Sequence, residues 1–258
     1  MNRYPRNKFK TAVDIVRRIK NWPTAFDLRL RQKNPGERIL HFRDGLNVVC
    51  RGATRDWDVV HELLFARSYD RAMNFLKSSP ANSIVLDLGG NIGLFSLLAA
   101  TANFGSQIHA YEPGPPNIQI FEKNLAANPA LAGRIHLHRE AVGGNTRAVE
   151  WFFDSSNPGG SGLFTTNGEK FSVQIHALAE VVHALPGRVR LAKIDIEGAE
   201  FELLAETPAE IWQRIDAVSL ELHDDPDKKF SQPEFLKRME SLGFTIEEES
   251  VCSYFLHR

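Results

Sequence analysis

The chain has 258 residues, of which 43% are hydrophobic and 24% charged, with a formal net charge of −1. These values are typical of one large globular domain or of a domain with appendages, and they give no reason to expect a nucleic acid as partner. Asp87 and nearby glycines interrupt the most apolar stretch, so no transmembrane segment is predicted. Because the N-terminus lacks the apolar segment of a signal peptide and Cys50 lies far from Cys252, we expect a cytoplasmic protein.

Residues 1–80 are predicted to form an extension of helices and one β-hairpin. An amphipathic helix fits residues 9–20, and the hairpin is expected over "ERILHFRDGLNVVCRG" with its turn at Asp44-Gly45. Apolar residues at helical spacing follow in "WDVVHELLFARSYDRAMNFL". The apolar helices of this extension could cover a site, form a homodimer, or do both.

The first 33 residues contain ten Lys or Arg but only two acids, Asp14 and Asp27. The simpler interpretation of this bias is a solvated basic helix. The alternative is a docking arm for an anionic membrane surface, a glycan or an acidic partner, which would attach the protein to a membrane only peripherally.

From residue 81 onward, short apolar strands alternate with helical segments, which predicts an α/β fold with a largely parallel sheet covered on both faces. The predicted strands span residues 84–88, 107–112, 135–142, 190–196, 217–222, 244–249 and 253–257. The predicted helices span residues 93–102, 116–127, 200–206 and 233–242. Residues 143–176 interrupt the alternation and indicate a β-rich insertion, whose loop at 153–164 is expected to form part of an acceptor-binding wall.

The first of these strands runs into a glycine-rich turn that contains Asp87, Gly89, Gly90, Asn91 and Gly93. Ligands bind beyond the carboxyl ends of strands in such a sheet, and glycine allows a close approach of the backbone. Asp87 would then face the ligand. The turn lacks the Gly-x-Gly-x-x-Gly spacing that cradles a pyrophosphate, which argues against a nicotinamide-dependent oxidoreductase. An aspartate and turn carbonyls instead suit the ammonium of an amino-acid group, as in S-adenosylmethionine.

The second predicted strand ends in Glu112, followed by Pro113, about one βα unit after the glycine turn. An acid in this position can accept hydrogen bonds from both ribose hydroxyls of NAD or S-adenosylmethionine. The alternative is a glutamate that caps the next helix or pairs on the surface. By the order of the strand ends, Glu140, Ala141 and Val142 are expected to border the adenine.

Four polar residues gather at the predicted ends of the next two strands: Asp195, Glu197, Glu221 and His223. Adjacent strand ends should bring them together, with Asp195 also reaching the cofactor turn. One of them could act as a base toward a hydroxyl acceptor, with Asp195 and His223 first and Glu197 next. Alternatively, Asp195, Glu221 and His223, with Glu197 beside them, could hold a divalent metal ion. The structural alternative is a set of helix-capping and surface acids.

Four segments of the chain resemble the FkbM-type methyltransferase family: "VLDLGGNIGLFSLLAA", "YEPGPPNIQIFEKNLAAN", "LAKIDIEGAEFELL" and "SLELH". They occur in the family's order, over residues 81–224. The resemblance implies a class I, S-adenosylmethionine-dependent O-methyltransferase with a seven-stranded, Rossmann-like sheet in residues 81–258. It also implies a small-molecule or glycan acceptor, because members commonly methylate hydroxyls of sugars, polysaccharides or natural products. Ala179 departs from the family, which often has an acid there. A nicotinamide-dependent oxidoreductase and a non-catalytic Rossmann-like binding module are the alternatives.

Overall fold

The computed structural model describes residues 8–30, 35–153, 169–224, 231–250 and 252–258. The strands are β1 (Glu37–His41), β2 (Asn47–Arg51), β3 (Ile84–Leu88), β4 (Gln107–Tyr111), β5 (Ile135–His138), β6 (Ala141–Gly143), β7 (Arg147–Phe153), β8 (Glu169–Ala177), β9 (Val189–Ile194), β10 (Ala217–Glu221), β11 (Thr245–Ser250) and β12 (Ser253–His257). The α-helices are α1 (Lys8–Arg18), α2 (Trp22–Leu30), α3 (Asp56–Val60), α4 (Asp70–Lys77), α5 (Leu94–Ala102), α6 (Pro115–Ala126), α7 (Pro129–Ala132), α8 (Leu178–Ala184), α9 (Glu200–Glu206), α10 (Ala209–Trp212) and α11 (Gln232–Ser241).

Seven strands form the central sheet in the order β11-β12-β10-β9-β3-β4-β5. The strands from β10 to β5 pair in parallel, whereas β12 is antiparallel to both of its neighbours. The central strands β3 and β9 are buried along almost their whole length, because helices cover both faces of the sheet. The predicted seven-stranded, mostly parallel α/β sheet is therefore confirmed. The strand order reverses between β3 and β9, which is where such sheets bind ligands.

The third strand differs from the prediction, which placed one strand over residues 135–142. The sheet strand β5 ends at His138, and β6 begins a separate three-stranded sheet of order β6-β8-β7. The chain leaves the main sheet because β6 pairs with β8, where Ala141 packs on Val173 and Ile175. The β-rich insertion is confirmed by the antiparallel pairing of β7 with β8. Apart from Phe153 at the end of β7, the predicted acceptor wall at 153–164 lies outside the described residues.

The N-terminal extension shares one hydrophobic core with the sheet. Ile15 of α1 and Ile19, which directly follows that helix, belong to the same buried cluster as Ile92 and Phe95 beside the glycine turn. The predicted hairpin is confirmed as β1 and β2, whose register is antiparallel. The helical stretch that follows it is interrupted: α3 continues as a π-helical turn, and Arg67, at φ 62°, ends that turn before α4 begins.

Part of the basic N-terminal charge has a structural use. The guanidinium of Arg18 donates a hydrogen bond to the Leu64 carbonyl and lies 5.3 Å from the centre of the Phe65 ring. Residues 1–7 lie outside the described part of the chain, and a docking role for the segment stays a prediction. Among the described helices, none combines the length and apolar character needed to cross a membrane.

Asn124 of α6 connects the hairpin to the glycine turn. Its side chain is fully buried. Its Oδ1 accepts a 2.6 Å hydrogen bond from the Val49 backbone N–H, while its Nδ2 donates to the carbonyl of Ile92 at 2.8 Å. Buried backbone groups without partners are costly, so this one amide stabilises both strand β2 and the glycine turn.

We expect Asn124→Ala to lower the free energy of unfolding by about 1–3 kcal/mol, because it leaves buried backbone groups without partners. Asn74→Ala, at an exposed position of α4, is the matched control and should change stability by less than about 0.5 kcal/mol. Urea unfolding followed by linear extrapolation measures both. Equal stabilities of the two variants would contradict this role for Asn124.

Candidate active site

Two glycines allow the turn after β3 to lie against its neighbours. Gly89 has a φ of +81°, and a Cβ atom built on it would lie 1.9 Å from the backbone oxygen of Asp195. Gly93 has a φ of +83°, and its Cβ would lie 2.3 Å from the Phe121 ring. The predicted need for glycine at these positions therefore has two causes, the left-handed conformation and the close approach of neighbouring atoms.

The turn is held by the end of β4. The backbone N–H groups of Gly89 and Gly90 both donate to the carbonyl of Tyr111, at 3.0 and 2.9 Å. Asn91 follows with a φ of +49°, and its N–H donates to the carboxylate of Glu112 at 2.8 Å. The Oδ1 atom of Asn91 is buried and accepts no hydrogen bond from the described residues. These hydrogen bonds hold the turn in place, and the Asn91 amide oxygen beside them has unused acceptor capacity.

Glu112 is buried beside the turn, so the alternative in which it pairs on the surface is wrong. Only 5% of the residue is exposed. Besides Asn91, its carboxylate accepts hydrogen bonds from the Gly114 N–H at 2.8 Å and from Asn117 Nδ2 at 3.2 Å. Gly114 directly precedes α6, so Glu112 also serves that helix end. Burial raises the pKa of Glu112 to about 7, although these hydrogen bonds oppose the rise. A carboxylate offers about four acceptor sites, so capacity remains for a ribose hydroxyl.

Asp87 was predicted to face the ligand rather than the core; it lies beneath the turn, where it is completely buried. Asp87 belongs to the buried strand β3, and its carboxylate has buried polar partners. Oδ2 accepts a 2.6 Å hydrogen bond from Ser96, and Oδ1 lies 3.7 Å from Lys193 Nζ. Burial raises the pKa of Asp87, and the Lys193 ammonium and the Ser96 hydroxyl offset part of this rise. Its part in cofactor binding stays a prediction.

Lys193 was not among the residues predicted for the site. Its Nζ donates to the carbonyl of Gly89 at 2.6 Å and lies 3.2 Å from Asp195 Oδ2. Burial alone would lower the pKa of Lys193, but the carboxylates of Asp195 and Asp87 raise it overall. The sequence did carry a signal, which is a lysine between the apolar residues Ala192 and Ile194. It stands two residues before Asp195 and hence on the same face.

The polar residues predicted at the next strand ends do come together. One ligand atom each of Asp195, Glu197 and His223 lies within 4.8 Å of the others. Glu221 Oε1 lies 3.8 Å from His223 Nε2, but Glu197 takes the place predicted for Glu221 in this three-residue group. A further correction concerns β9, which was predicted to reach residue 196. It ends at Ile194, and Glu197 adopts a left-handed φ of +54° in the turn that follows.

Glu200 supports this turn from the start of α9, and the sequence indicated only that a helix begins there. It is fully buried and accepts hydrogen bonds from the backbone N–H groups of Ile196 and Gly198, at 3.1 and 3.0 Å. The same carboxylate lies 3.0 Å from His223 Nδ1. Glu200 therefore fixes both the loop that carries Glu197 and the orientation of the imidazole.

The electrostatics of this cluster raise the pKa of both His223 and Glu197, but to different values. Burial alone would lower the pKa of His223, but the hydrogen bond to Glu200 and the charges of Asp195 and Glu197 raise it to about 9. Burial, together with the charge of Asp195, raises the pKa of Glu197 to about 7. At neutral pH His223 is therefore an imidazolium, while Glu197 is near its titration point and can accept a proton.

The residues predicted to border an adenine follow strands β4 and β5 or lie in β6, close to where the chain leaves the main sheet. Glu140 Oε2 is 3.2 Å from His176 Nε2 of β8. Burial, with a smaller contribution from Glu140, raises the pKa of Tyr111 to about 12. Ala141 and Val142 are buried in β6, and Pro113 is buried beside Glu112. Contact of these residues with an adenine stays a prediction.

The acceptors around the turn fit a cationic ligand that carries a ribose, such as S-adenosylmethionine. The buried Asn91 Oδ1 lacks a donor among the described residues, and Glu112 has acceptor capacity left. Carboxylates outnumber the Lys193 ammonium beside the turn. A divalent metal ion would need the Asp195, Glu197 and His223 group, and His223 would have to lose its proton first.

Several known proteins are similar to this chain. Residues 87–246 match the family model described as the methyltransferase FkbM domain. "Methyltransferase 1" of Beauveria bassiana (strain ARSEF 2860) is 28% identical over 234 residues, which cover 81% of this chain and 90% of that protein. The 31-O-demethyl-FK506 methyltransferase FkbM of Streptomyces tacrolimicus is 25% identical, over 64% of this chain and 74% of its own. The crystal structure of methyltransferase FkbM from Methylobacillus flagellatus KT aligns with a TM-score of 0.47 and 15% identity, over 69% of this chain and 44% of that one.

We expect Gly89→Ala to be far more damaging than Gly45→Ala. Both positions have a positive φ, which costs a non-glycine residue about 1–2 kcal/mol. The Cβ at Gly45 would have no atom within 4 Å, whereas the Cβ at Gly89 would collide with the Asp195 backbone. Thermal unfolding and ligand calorimetry on both variants measure the difference. Equal behaviour of the two would show that the close approach to Asp195 is unimportant.

We expect the His223 imidazole to titrate near pH 9 in ¹⁵N NMR spectra, since Glu200, Asp195, Glu197 and Glu221 all face it. Glu200→Gln removes the largest favourable contribution, so the His223 pKa should fall toward the ordinary value of about 6.5. The exposed Glu206→Gln change on the same helix is the control and should leave the titration in place. A wild-type midpoint at or below pH 6.5 would refute the electrostatic account.

Proposed function

The chain belongs to the FkbM family of methyltransferases, and we propose that it is an S-adenosylmethionine-dependent O-methyltransferase acting on a hydroxyl of a sugar, a polysaccharide or a glycosylated natural product. The observation that carries the proposal is the position of Asp195, which contacts the Lys193 ammonium below the glycine turn and also belongs to the group with Glu197 and His223. The proposed donor site would thus lie beside a proton acceptor. The Streptomyces relative is named for a 31-O-demethyl compound, which supports oxygen as the methylated atom.

The donor would bind over the turn. Glu112 would accept hydrogen bonds from the ribose, and Asn91 Oδ1 with the backbone of Gly89, Gly90 and Gly93 would receive the amino-acid end. Glu140, Ala141, Val142 and Pro113 would border the adenine. S-adenosylmethionine supplies a methyl group that is already activated, so the protein's task is alignment of the acceptor and removal of its proton.

Glu197 is the best candidate for the base at neutral pH. Its raised pKa of about 7 suits proton transfer at that pH, and the imidazolium of His223 lies 3.4 Å away, where it would hold the carboxylate in place. This order differs from the sequence-based expectation, which put Asp195 and His223 first. A divalent metal ion held by Asp195, Glu197 and His223 is the second candidate, because their ligand atoms already converge.

The decisive experiment is calorimetric titration with S-adenosylmethionine and with NAD, followed by a glycan-acceptor screen with labelled methyl donor, with and without a chelator. We expect binding of S-adenosylmethionine and label transfer to a hydroxyl. Binding of NAD instead would support an oxidoreductase. Donor binding without transfer to any acceptor would favour a binding module. Loss of transfer with chelator, and its return with a divalent ion, would support the metal. A cytoplasmic location, a homodimer and a membrane contact through the basic N-terminus stay predictions.

We expect Glu197→Gln to lower kcat by about 10²–10⁴-fold, the usual contribution of a general base. The donor Kd should change little, because the glutamine keeps the size of the side chain. The exposed Glu206→Gln variant is again the matched control. Turnover near that of the wild type in Glu197→Gln would move the role to Asp195 or His223.

We expect the affinity for S-adenosylmethionine to rise between pH 6 and pH 8. Glu112 is protonated below its pKa of about 7 and becomes a full acceptor for the ribose hydroxyls as the pH passes that value. Glu112→Gln should weaken binding by about 1–3 kcal/mol and remove this pH dependence. Calorimetry across the pH range tests both, and a Glu112→Gln variant with wild-type affinity and pH dependence would remove the ribose assignment.

A further inference from the structure

Lys193 places a positive charge directly under the glycine turn. It lies opposite Asp87 in the register between β9 and β3, and its side chain is 5% exposed. An ammonium in a central strand is costly unless it is paired and hydrogen-bonded. Among the described residues, the polar contacts of Nζ cluster at the point where the chain leaves β3 for the turn.

These contacts fix the backbone and one carboxylate together. Nζ donates to the Gly89 carbonyl at 2.6 Å and to the Leu88 carbonyl at 3.3 Å. It also lies 3.2 Å from Asp195 Oδ2 and 3.7 Å from Asp87 Oδ1. The same group therefore orients the peptide at Gly89 and holds Asp195 against the turn. Of these four oxygens, two belong to the peptides where the turn begins, and a third belongs to the Asp195 carboxylate that lies against the turn.

We propose that Lys193 is the positioning residue of the donor site, and that it orients the Gly89 peptide and the Asp195 carboxylate to receive the amino-acid end of the methyl donor. The inference rests on the proposed function, since it needs the turn to bind that end of the donor. Lys193 is buried beneath the turn and acts through Gly89 and Asp195. Its effect should therefore be confined to ligands that carry the amino-acid group.

The test compares two ligands in the Lys193→Met variant, which keeps an unbranched side chain one atom shorter and removes the charge. S-adenosylhomocysteine carries the amino-acid end, whereas 5′-methylthioadenosine has the same adenosine without it. We expect the affinity for S-adenosylhomocysteine to fall about tenfold or more and that for methylthioadenosine to change less than about twofold. Calorimetry or competition binding measures both. Lys123→Met, at an exposed lysine paired with Glu37, is the matched control and should change neither affinity.

The possible outcomes distinguish a failure of the inference about Lys193 from a failure of the proposed function. If wild-type protein binds neither ligand, the proposed function fails, and the inference fails with it. If the wild type binds both and Lys193→Met loses neither or loses both equally, only the inference is overturned, because an equal loss indicates a merely structural role. Should Lys193→Met not fold, comparison of Asp87→Asn with Asp87→Asn/Lys193→Met gives the same contrast after the buried carboxylate charge has been removed. There too, a selective loss for S-adenosylhomocysteine supports the inference, and any other result overturns it.

Discussion

The site depends on how closely the backbones of β3 and β9 approach each other where the two strands end. The N–H of Asp195 donates to the Leu88 carbonyl at 3.2 Å, and the next residue, Gly89, has no room for a side chain against Asp195. Because the strands are parallel and adjacent, their following loops leave from the same edge of the sheet. That contact brings the glycine turn and the loop that begins at Asp195 together. The polar groups of the site lie in these two loops or next to them.

Both loops are held by side chains that accept hydrogen bonds from backbone N–H groups or donate them to backbone carbonyls. Glu112 and Asn124 hold the glycine turn, and Glu200 holds the loop of Glu197. Each of these three residues is buried, where an unpaired polar group would be costly, so the loop conformations are specified without regular secondary structure. A site built in this way has its geometry in place before a ligand arrives, which reduces the entropic cost of binding.

The chemistry of the Glu197 and His223 pair follows from the same supports. Glu200 accepts two backbone N–H groups in addition to its contact with His223, so its position does not depend on the histidine. It therefore favours the imidazolium, which in turn lies against Glu197. Two neighbouring titratable groups are driven to different protonation states by their surroundings, an arrangement that is frequent at functional sites.

The sequence by itself determined the features that depend on local patterning. Alternation of apolar strands and helices predicted the sheet, and Gly89 to Gly93 marked the turn, because β and α periodicities and positive φ are encoded within a few residues. Tertiary structure alone decided the rest. The departure of β6 into a second sheet depends on β8, more than thirty residues away. Contacts between strands that are distant in the chain decide three further features. These are the burial of Asp87, the position of Lys193 under the turn, and the higher pKa of His223 than of Glu197. Desolvation and charge pairing are set by which distant groups surround a side chain, and the neighbouring sequence does not contain that information.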